Sequence, residues 1–357
     1  MKKVYFTVGP SQIFPTVYKH LQTGIKEEIL SLNHRGEEFQ KMYERIIADL
    51  KQFLKIPENY KVYFLTSGTE GMERFLENCV EKHSFHIITG SFGDKFYQMA
   101  LDLKKKPKVL YLSPDENYDF KKIILPENTE AVCITHNDTS TGIAIDMEEI
   151  KNLKKAYPSV LIALDTVSSI PYADLDFKYL DYVFFSVQKG FGLPAGLGII
   201  VVSDKAFERT KYLKELGVNI GTYHNLLTLE EWSLKNQTSE TPNVLGIYLF
   251  SKILKDFKKI GLEKIKRETE KKAKMLYDFF DSHPNFQPFV KTLNNRSNTT
   301  LVINTLNSKK IVKNLKEKGM IIGEGYGKMK DSQIRIANFP SHTISEIEKL
   351  ISSLTKF

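Results

Sequence analysis

The sequence contains few cysteines and has no long apolar run. Cys79 and Cys133 are its only cysteines, and they form no CxxC pair, which excludes a disulfide scaffold and a cysteine-based metal site. No stretch approaches the roughly 18 consecutive apolar residues that a membrane helix needs. In the opening MKKVYFTVGPS the apolar stretch is too short for a secretory signal, so we expect a cytoplasmic protein.

The sequence also lacks any block of charge of one sign. Lysine and arginine number 51 against 43 acidic residues, which gives a formal net charge of +8. The basic residues are interleaved with acids, as in KKIGLEKIKRETEKKAK, and this pattern is typical of solvated helix surfaces. We therefore expect neither a nucleic-acid partner nor a membrane partner, and the eight histidines predict no metal site.

Short apolar strands and amphipathic helices alternate from about residue 60 to residue 202. KVYFLT is followed by TEGMERFLENCVEK, and FHIITG by FGDKFYQMALDLKKK. This alternation predicts βαβ units and a mainly parallel sheet. Beyond Gly261 the pattern changes to a long charged helix, short strands such as NTTLVIN and a terminal helix. We expect an α/β fold with an N-terminal arm (1–15), a large domain (16–259) and a smaller C-terminal α+β domain (260–357).

Two charged residues follow apolar strands of the predicted sheet. Asp165 ends the strand VLIALD, and Lys189 comes shortly after DYVFFSV. The carboxyl ends of such strands meet at one edge of an open α/β sheet, where ligands bind. Asp165 alone would be read as a turn residue, but a lysine after an apolar strand is costly unless it has a function. An amine that bonds an aldehyde and a carboxylate that keeps a ring nitrogen protonated are what pyridoxal 5'-phosphate requires, so the pair predicts this cofactor.

Three further strand ends offer groups for the same cofactor. Ser67, Gly68 and Thr69 lie between a strand and a helix in LTSGTEGMERF, where backbone N–H groups can hold a phosphate. Phe92 in GSFGDKF can stack on a pyridine ring, although a core phenylalanine is the default for one Phe among 23. Thr139 in THNDTSTG can reach the ring hydroxyl. Many strand-to-helix turns resemble Ser67-Gly68-Thr69, so this motif alone is weak evidence. The occurrence of all five strand-end motifs in the expected order is the stronger evidence for the cofactor.

The complete set of segments resembles the class V aminotransferases, which have fold type I among pyridoxal-phosphate enzymes. The matching segments extend from Phe6 to Pro340 and are FTVGPS, NHRGEEF, TSGTEGME, GSFGDKF, THNDTSTG, DTVSS, FFSVQKGFGLPAGLGIIVV, SETPN and QIRIANFP. The resemblance implies that Lys189 carries the cofactor as a Schiff base and that Asp165 faces the pyridine nitrogen. The other contacts that it implies are with the phosphate (Ser67, Gly68, Thr69 and Gln188) and with the ring (Phe92 and Thr139).

The same resemblance implies the substrates and the assembly. Arg335 in QIRIANF corresponds to the arginine that grips the substrate α-carboxylate, a task that suits the planar guanidinium. Thr241 of SETPN would reach the phosphate in the neighbouring subunit, which implies a homodimer with shared active sites. Small amino acids and 2-oxo acids are then the expected substrates.

One pair of residues points to a particular branch of the class. His34 and Arg35 in NHRGEEF are similar to the His-Arg pair of phosphoserine aminotransferases, which contacts substrate phosphate across the dimer interface. This predicts transamination between phosphoserine and 2-oxoglutarate, a step of serine biosynthesis. The chain departs from that branch at Thr69-Glu70, in the loop expected to hold the cofactor phosphate, where another arginine is usual, and at Glu240, where an asparagine is usual.

The C-terminal segment GYGKMKDSQIRIANFP keeps a second branch open. It lacks the histidine of phosphoserine aminotransferases and resembles the serine-pyruvate or alanine-glyoxylate enzymes equally well. Our hypothesis is that Lys328 or Lys330 supplies part of the missing positive charge.

Two other enzyme classes compete with these interpretations. GFGLPA matches a GxGxxA dinucleotide fingerprint, as in NAD-dependent dehydrogenases, but the next segment, GLGIIVV, predicts a strand where that motif requires a helix. A cysteine desulfurase needs a nucleophilic cysteine on a mobile loop, and both cysteines lie in apolar segments.

Overall fold

The computed structural model describes residues 3–357. Strands and helices alternate along this part of the chain, as the sequence patterns predict. The strands are β1 (Val4–Phe6), β2 (Lys61–Leu65), β3 (Ser84–Ile88), β4 (Lys108–Tyr111), β5 (Ala131–Thr135), β6 (Asn137–Asp138), β7 (Ile143–Ala144), β8 (Leu161–Asp165), β9 (Tyr182–Ser186), β10 (Gly198–Val202), β11 (Gln287–Pro288), β12 (Thr300–Asn304), β13 (Met320–Glu324) and β14 (Gln333–Ala337). The α-helices are α1 (Val17–Lys26), α2 (Glu37–Leu54), α3 (Gly68–Cys79), α4 (Ser91–Asp102), α5 (Met147–Ala156), α6 (Asp204–Glu215), α7 (Leu226–Ser233), α8 (Val244–Ile260), α9 (Leu262–Ser282), α10 (Ser308–Glu317) and α11 (Ile344–Leu354).

Seven strands form the larger sheet, in the order β2, β10, β9, β8, β5, β3, β4. Neighbouring strands are parallel except at β10, which runs antiparallel to both β2 and β9. The predicted α/β fold with a mainly parallel sheet is therefore confirmed. Strands β5, β8, β9 and β10 are buried along their whole length, as apolar strands covered on both faces should be.

A hydrophobic core lies against each face of this sheet. Successive side chains of β9 point to opposite faces, so Phe184 packs into the core that contains α3 and Phe185 into the core that contains α2 and α8. Both rings are almost fully buried, at 0% and 1% exposure. Truncating either ring to alanine would cost about 3–5 kcal/mol of stability. The centre of the sheet is held from both sides, which fixes the positions of its strand ends.

The carboxyl ends of six strands lie at one edge of the sheet, because β2, β3, β4, β5, β8 and β9 share one direction. After β9 the chain forms a loop, residues 187–197, and returns as β10, with Ser186 paired to Gly198. Lys189 lies in this loop, and both ends of the loop are anchored in neighbouring strands. The GFGLPA stretch leads into a strand and opens no helix, which contradicts a dinucleotide-binding turn.

The smaller sheet combines the two ends of the chain. Its strand order is β1, β13, β14, β12, β11, and β1 is parallel to β13. Apolar residues of α9, α10 and α11 cover it in a separate core. The helix and strands expected beyond Gly261 are present, but the division into 1–15, 16–259 and 260–357 stays a prediction. The first strand of the predicted arm belongs to the C-terminal sheet.

None of the helices within residues 3–357 has the length and apolar character needed to cross a membrane. In that same part of the chain, no three or more His, Cys, Asp or Glu side chains are grouped so as to hold a metal ion. Cys79 and Cys133 are buried, and burial raises the pKa of the Cys79 thiol to about 12. Neither thiol therefore offers the reactive thiolate that a cysteine desulfurase needs.

Candidate active site

A cavity of about 330 Å³ opens at the carboxyl-end edge of the larger sheet. It brings together most of the residues that the sequence predicts for a cofactor and its substrate, and these are Ser67, Gly68, Thr69, Phe92, Thr139, Asp165, Gln188, Lys189 and Arg335. The strand ends of β2, β3, β5, β8 and β9 each contribute, so the shared direction of these strands accounts for the convergence.

Lys189 places its amine in this cavity. The residue is 7% exposed, and its Nζ lies 5.2 Å from the centroid of the Phe92 ring. Burial lowers the pKa of Lys189 to about 8, against the opposing effect of Asp165 and Asp138. A Cβ atom at Gly9 would lie 2.8 Å from Lys189 Cε, so a side chain at this position would force the lysine stem to move.

Asp165 presents a buried carboxyl on another wall of the same cavity. It ends β8 and is 4% exposed. Burial raises its pKa to about 6, although the N–H of Val167, which donates to Oδ1 at 2.9 Å, and the charge of Lys189 both lower it. A cation placed beside this carboxyl would favour its ionised form.

The start of α3 forms an anion-binding end of the cavity. Ser67 caps the helix, accepting the N–H of Glu70 at 3.1 Å through Oγ. The N–H groups of Gly68 and Thr69 lie in the first turn and have no acceptor within the helix. A Cβ at Gly68 would lie 2.4 Å from Val167 Cγ2, so only glycine allows this close packing. We call Ser67-Gly68-Thr69 the phosphate cradle, because oriented N–H groups at a helix start suit a phosphate.

Two buried polar atoms on the cavity wall have no hydrogen-bond partner within the described residues. They are Asn137 Oδ1 and Ser186 Oγ. Unpaired buried polar groups are rare in native proteins, and a ligand with polar groups is one way to satisfy them. Ser186 was not predicted from the sequence, although its position at the carboxyl end of β9, two residues before Gln188, is a usable signal.

Asp138 has a structural role beside Phe92. Its Oδ2 accepts the N–H groups of Phe92 at 2.9 Å and Gly93 at 3.2 Å, and its Oδ1 accepts the Ser140 hydroxyl at 2.6 Å. The carboxylate thereby ties the first turn of α4 to β6 and the turn that follows it. The Phe92 ring is held in place next to Lys189.

Arg335 lies at the mouth of the cavity and is braced by backbone carbonyls. Its Nε donates to the carbonyl of Glu324 at 2.7 Å, and one terminal nitrogen donates to the carbonyl of Thr139 at 3.1 Å. The guanidinium carbon lies 5.3 Å from the centroid of the Tyr326 ring. The other terminal nitrogen has no partner among the hydrogen bonds of residues 3–357, so the guanidinium can still receive a carboxylate.

Tyr326 is a cavity residue that sequence reasoning missed. Its ring lies 5.8 Å from the Phe92 ring as well as beneath Arg335. The signal available was an aromatic residue between two glycines, in Gly325-Tyr326-Gly327, directly after a predicted strand. Lys328 and Lys330 do not line the cavity, and the Lys330 amine lies 3.2 Å from a Glu324 carboxylate oxygen. Their suggested charge contribution stays a hypothesis.

His34, Arg35 and Thr241 lie outside this cavity. Arg35 donates to Gln237 Oε1 at 2.9 Å and to the Thr238 carbonyl at 2.7 Å, and its guanidinium carbon lies 3.9 Å from the centroid of the Trp232 ring. Thr241, three residues after Thr238, is exposed. We call residues 237–241 the arm, a segment distinct from the predicted N-terminal arm (1–15). Arg35 holds it through these hydrogen bonds.

Comparison with a protein-family model agrees with the geometry of this site. The family model described as Aminotransferase class-V matches residues 4–336. The chain belongs to the class-V aminotransferase family. Membership makes the protein a pyridoxal-phosphate-dependent transaminase and confirms the resemblance that the sequence motifs carry.

The relatives agree with this assignment. The solved structure of a phosphoserine aminotransferase from Cytophaga hutchinsonii ATCC 33406 has a TM-score of 0.96 and 40% identity, covering 99% of this chain and 98% of that one. A phosphoserine aminotransferase from Corynebacterium glutamicum (strain R) is 26% identical over 360 residues, 98% of this chain and 93% of the relative. The alanine-glyoxylate aminotransferase of Nostoc sp. has a TM-score of 0.83 at 19% identity, covering 100% and 95%, and this likeness shows the fold alone. Fold type I is confirmed.

Proposed function

We propose that this protein transfers the amino group between phosphoserine and 2-oxoglutarate, with pyridoxal 5'-phosphate held in the cavity at the edge of the larger sheet. The observation that carries the proposal is the placement of Lys189, Asp165 and the phosphate cradle around one cavity. The 40% identity to a phosphoserine aminotransferase over nearly the full length of both chains supports the choice of substrate. The cytoplasmic location stays a prediction.

The residues on the walls fit this cofactor. Lys189 would bond its aldehyde, Asp165 would face its ring nitrogen and Phe92 would stack on its ring. The remaining contacts would be with its phosphate (Ser67, Gly68, Thr69 and Gln188) and its ring oxygen (Thr139). The buried atoms without partners, Asn137 Oδ1 and Ser186 Oγ, lie where polar groups of such a ligand could satisfy them. When bound, the cofactor supplies an electron sink for the substrate α-carbon.

The chain's own side chains then supply the proton chemistry. The Lys189 amine, with its pKa lowered to about 8, is in part neutral at physiological pH and can take the proton from the substrate α-carbon. Asp165 would be ionised beside a protonated ring nitrogen, since an opposite charge offsets the effect of burial. Arg335 would hold the substrate carboxylate and so orient the carbon that loses the proton.

The proposal includes a homodimer in which each chain completes its partner's site. His34, Arg35 and Thr241 do not line the cavity of their own chain, which is what residues that serve a second subunit require. Arg35 and the arm are hydrogen-bonded together, so a dimer would present Arg35 and Thr241 as one unit. Arg35 would bind substrate phosphate, and Thr241 would reach the cofactor phosphate.

A serine-pyruvate or alanine-glyoxylate activity is the second candidate. The observation in its favour is that Tyr326, a ring without positive charge, lies beside Arg335 at the mouth of the cavity. The Lys330 amine is paired with the Glu324 carboxylate at 3.2 Å, so its charge is already balanced within the chain.

Half-reactions with single amino acids separate the two candidates. Borohydride reduction of the purified protein should first leave a pyridoxyl group on Lys189. Phosphoserine, serine, alanine and glutamate are then added separately to unreduced protein, and the absorbance change of the cofactor gives a rate for each. We expect phosphoserine and glutamate to be fastest. If phosphoserine is slowest, the second candidate replaces the first.

An arginine variant tests the phosphate site directly. Arg35→Gln should raise the KM for phosphoserine about tenfold or more and change the KM for serine much less, because only phosphoserine carries the second anion. Arg45→Gln, on the exposed surface of α2, is the matched control. An equal change for both substrates would remove Arg35 from the phosphate site.

A further inference from the structure

A buried histidine joins two acidic residues that are far apart in the sequence. His224 is 1% exposed. Its Nδ1 lies 2.5 Å from Glu70 Oε1 and its Nε2 lies 2.7 Å from Glu240 Oε2. With carboxylates as acceptors on both sides, both ring nitrogens donate, and only the imidazolium form has two N–H groups. The side chain is a cation between two anions, and the centroid of the Tyr223 ring lies 4.0 Å away, with the two rings tilted by 34°.

The charges around His224 support this state. Burial lowers its pKa, but the hydrogen bonds to Glu240 and Glu70 outweigh burial and raise the pKa to about 9. Burial raises the pKa of Glu70, but hydrogen bonds from His224 and Thr66 bring it to about 2. The three groups are therefore ionised together at neutral pH. We call them the carboxylate-histidine cluster.

One end of this cluster is tied to the phosphate cradle. Glu70 directly follows Ser67-Gly68-Thr69, and its N–H donates to Ser67 Oγ. Its second carboxylate oxygen accepts the N–H of Thr66 at 2.8 Å and the Thr66 hydroxyl at 2.7 Å. The Glu70 side chain thus holds the chain just before the cradle, while its backbone holds the cradle itself.

The other end is tied to the arm. Glu240 Oε2 accepts the Ser239 hydroxyl at 2.7 Å, and the Glu240 carbonyl accepts the Thr238 hydroxyl at 2.8 Å. Arg35 also holds this segment, because it donates to the Thr238 carbonyl at 2.7 Å. Thr241, the next residue, is therefore carried on a segment that His224 fixes in position.

The two acidic residues depend on the histidine. Glu70 and Glu240 both lie at places where the chain departs from the phosphoserine aminotransferase pattern, and both bind the same imidazolium. A partly buried carboxylate without a partner is strongly unfavourable. The paired departures are explained if His224 joins them.

We propose that His224 is a positioning residue that fixes the phosphate cradle of its own subunit to the arm that completes the partner's site. The inference rests on the proposed function, and within it on the homodimer with shared sites. Each chain would give its cradle to one site and its arm to the other. Loss of His224 should then loosen the cofactor at both sites of a dimer, including the site whose own cradle is intact.

Mixed dimers separate the two effects. His224→Phe keeps a ring and removes both donors, and Lys189→Ala marks a chain whose own site cannot bond the cofactor. In the first dimer a His224→Phe chain pairs with a Lys189→Ala chain, so the reporting site has an altered cradle and a normal arm. In the second, a Lys189→Ala, His224→Phe chain pairs with an unaltered chain, so the reporting site has a normal cradle and an altered arm.

The readout is the dissociation constant of the covalently bound cofactor, measured from its absorbance. Relative to a dimer of Lys189→Ala and unaltered chains, both mixed dimers should bind cofactor about tenfold more weakly, the effect of losing one hydrogen bond to a charged group. An effect in only one of them, or in neither, overturns the link. His86→Phe, at a buried histidine on β3 away from the cradle and the arm, is the matched control and should change nothing.

Two further measurements keep the result decisive. If His224→Phe fails to fold, a variant that adds Glu70→Gln and Glu240→Gln removes the buried charges with the cation and takes its place in both dimers. The test of this inference measures cofactor binding and not turnover. If the protein binds cofactor but does not transaminate phosphoserine, the proposed function is wrong and the mixed dimers still test the inference. A monomeric protein overturns the inference and leaves the half-reactions to judge the function.

Discussion

Buried charges occur in two neighbouring regions of this protein, and burial has opposite outcomes in them. In the cavity, the pKa of Lys189 falls to about 8 and that of Asp165 rises to about 6, so both shift towards neutrality. In the carboxylate-histidine cluster, the pKa of His224 rises to about 9 and that of Glu70 falls to about 2, so both shift away from it.

The difference lies in the partners. Each ring nitrogen of His224 has a carboxylate within 2.7 Å, whereas the Lys189 amine makes no hydrogen bond or ion pair within residues 3–357. Of these two regions, the one whose buried group is hydrogen-bonded to partners of opposite charge keeps its charge and serves structure, and the one whose amine has no such bond can change protonation near neutral pH and serve chemistry. Substitutions in the two regions test that distinction, beginning with the largest expected effect.

Lys189→Ala should have the largest effect, because it removes both the covalent anchor and the group that moves the proton. We expect kcat to fall by about 10²–10⁴-fold or more, measured in the half-reaction with glutamate. The matched control is Lys272→Met, at a second buried lysine whose amine donates to the carbonyls of Phe339 and His342. This control should lower stability and leave kcat unchanged. Equal losses of kcat in the two variants would contradict the distinction.

Asp165→Asn should come next. The amide keeps the shape of the side chain but cannot stabilise a protonated ring nitrogen, so kcat should fall about 10²-fold while cofactor is still bound. Asp181→Asn is the control, since Asp181 is equally buried but lies 2.6 Å from the Lys154 amine. It should lower the thermal midpoint and leave kcat intact. A normal kcat in Asp165→Asn would show that ring protonation does not depend on this carboxyl.

Arg335→Lys should have a smaller effect and act on binding. The lysine keeps the charge but loses the planar pair of donors, so kcat/KM should fall about tenfold, chiefly through KM. Tyr326→Ala removes only the ring beneath the guanidinium and should cost about 0.5–1 kcal/mol, a few-fold in KM. Tyr326→Phe should restore the KM. An effect on kcat alone would show that neither residue orients the substrate carboxylate.

The smallest effect is on the pH dependence of stability. The folded pKa of His224, about 9, lies above the unfolded value near 6.5, so its contribution is complete below about pH 6.5 and is lost as pH rises through 9. For Glu70 the folded pKa of about 2 lies below the unfolded value, so its contribution is present above about pH 4.5 and is lost as pH falls through 2. His224→Phe should remove the alkaline loss.

Urea unfolding of the cofactor-free protein at about pH 6 and about pH 9.5 measures this. The stability difference between the unaltered protein and His224→Phe should be on the order of 1–3 kcal/mol at the lower pH and shrink at the higher one. Lys189 and Lys272, whose pKa values are lowered, titrate in both proteins and cancel in the comparison. A difference that is independent of pH would mean that His224 is not charged in the folded state.

The sequence was sufficient to predict the cavity because strand order alone brings its residues together. Asp165, Lys189 and Phe92 each lie at or just beyond the end of an apolar strand, and parallel strands bring their carboxyl ends to one edge of the sheet. The assignment of β10 as a strand after GFGLPA also came from local composition. The match with a family model over residues 4–336 agrees with what these strand ends predicted.

The carboxylate-histidine cluster could not be predicted in this way. Glu70 and His224 are 154 residues apart, and Arg35 and Gln237 are 202 apart, so their contacts depend on how loops pack and not on any period in the sequence. Tyr326 was missed for a related reason, since an aromatic residue after a strand is usually a core residue. The departures at Glu70 and Glu240 are visible in the sequence, but nothing in the sequence links either of them to His224.

The pairing of β1 with β13 has a mechanical consequence. Only Thr7 separates Phe6, in the smaller sheet, from Val8, on the cavity wall, and these two residues of chain can span at most about 7 Å. Any rotation of the smaller sheet must therefore pull Val8, Gly9 and Pro10 along the rim of the cavity. Gly9 lies against the side chain of Lys189. A rotation of the C-terminal sheet would therefore change the position of the Lys189 amine.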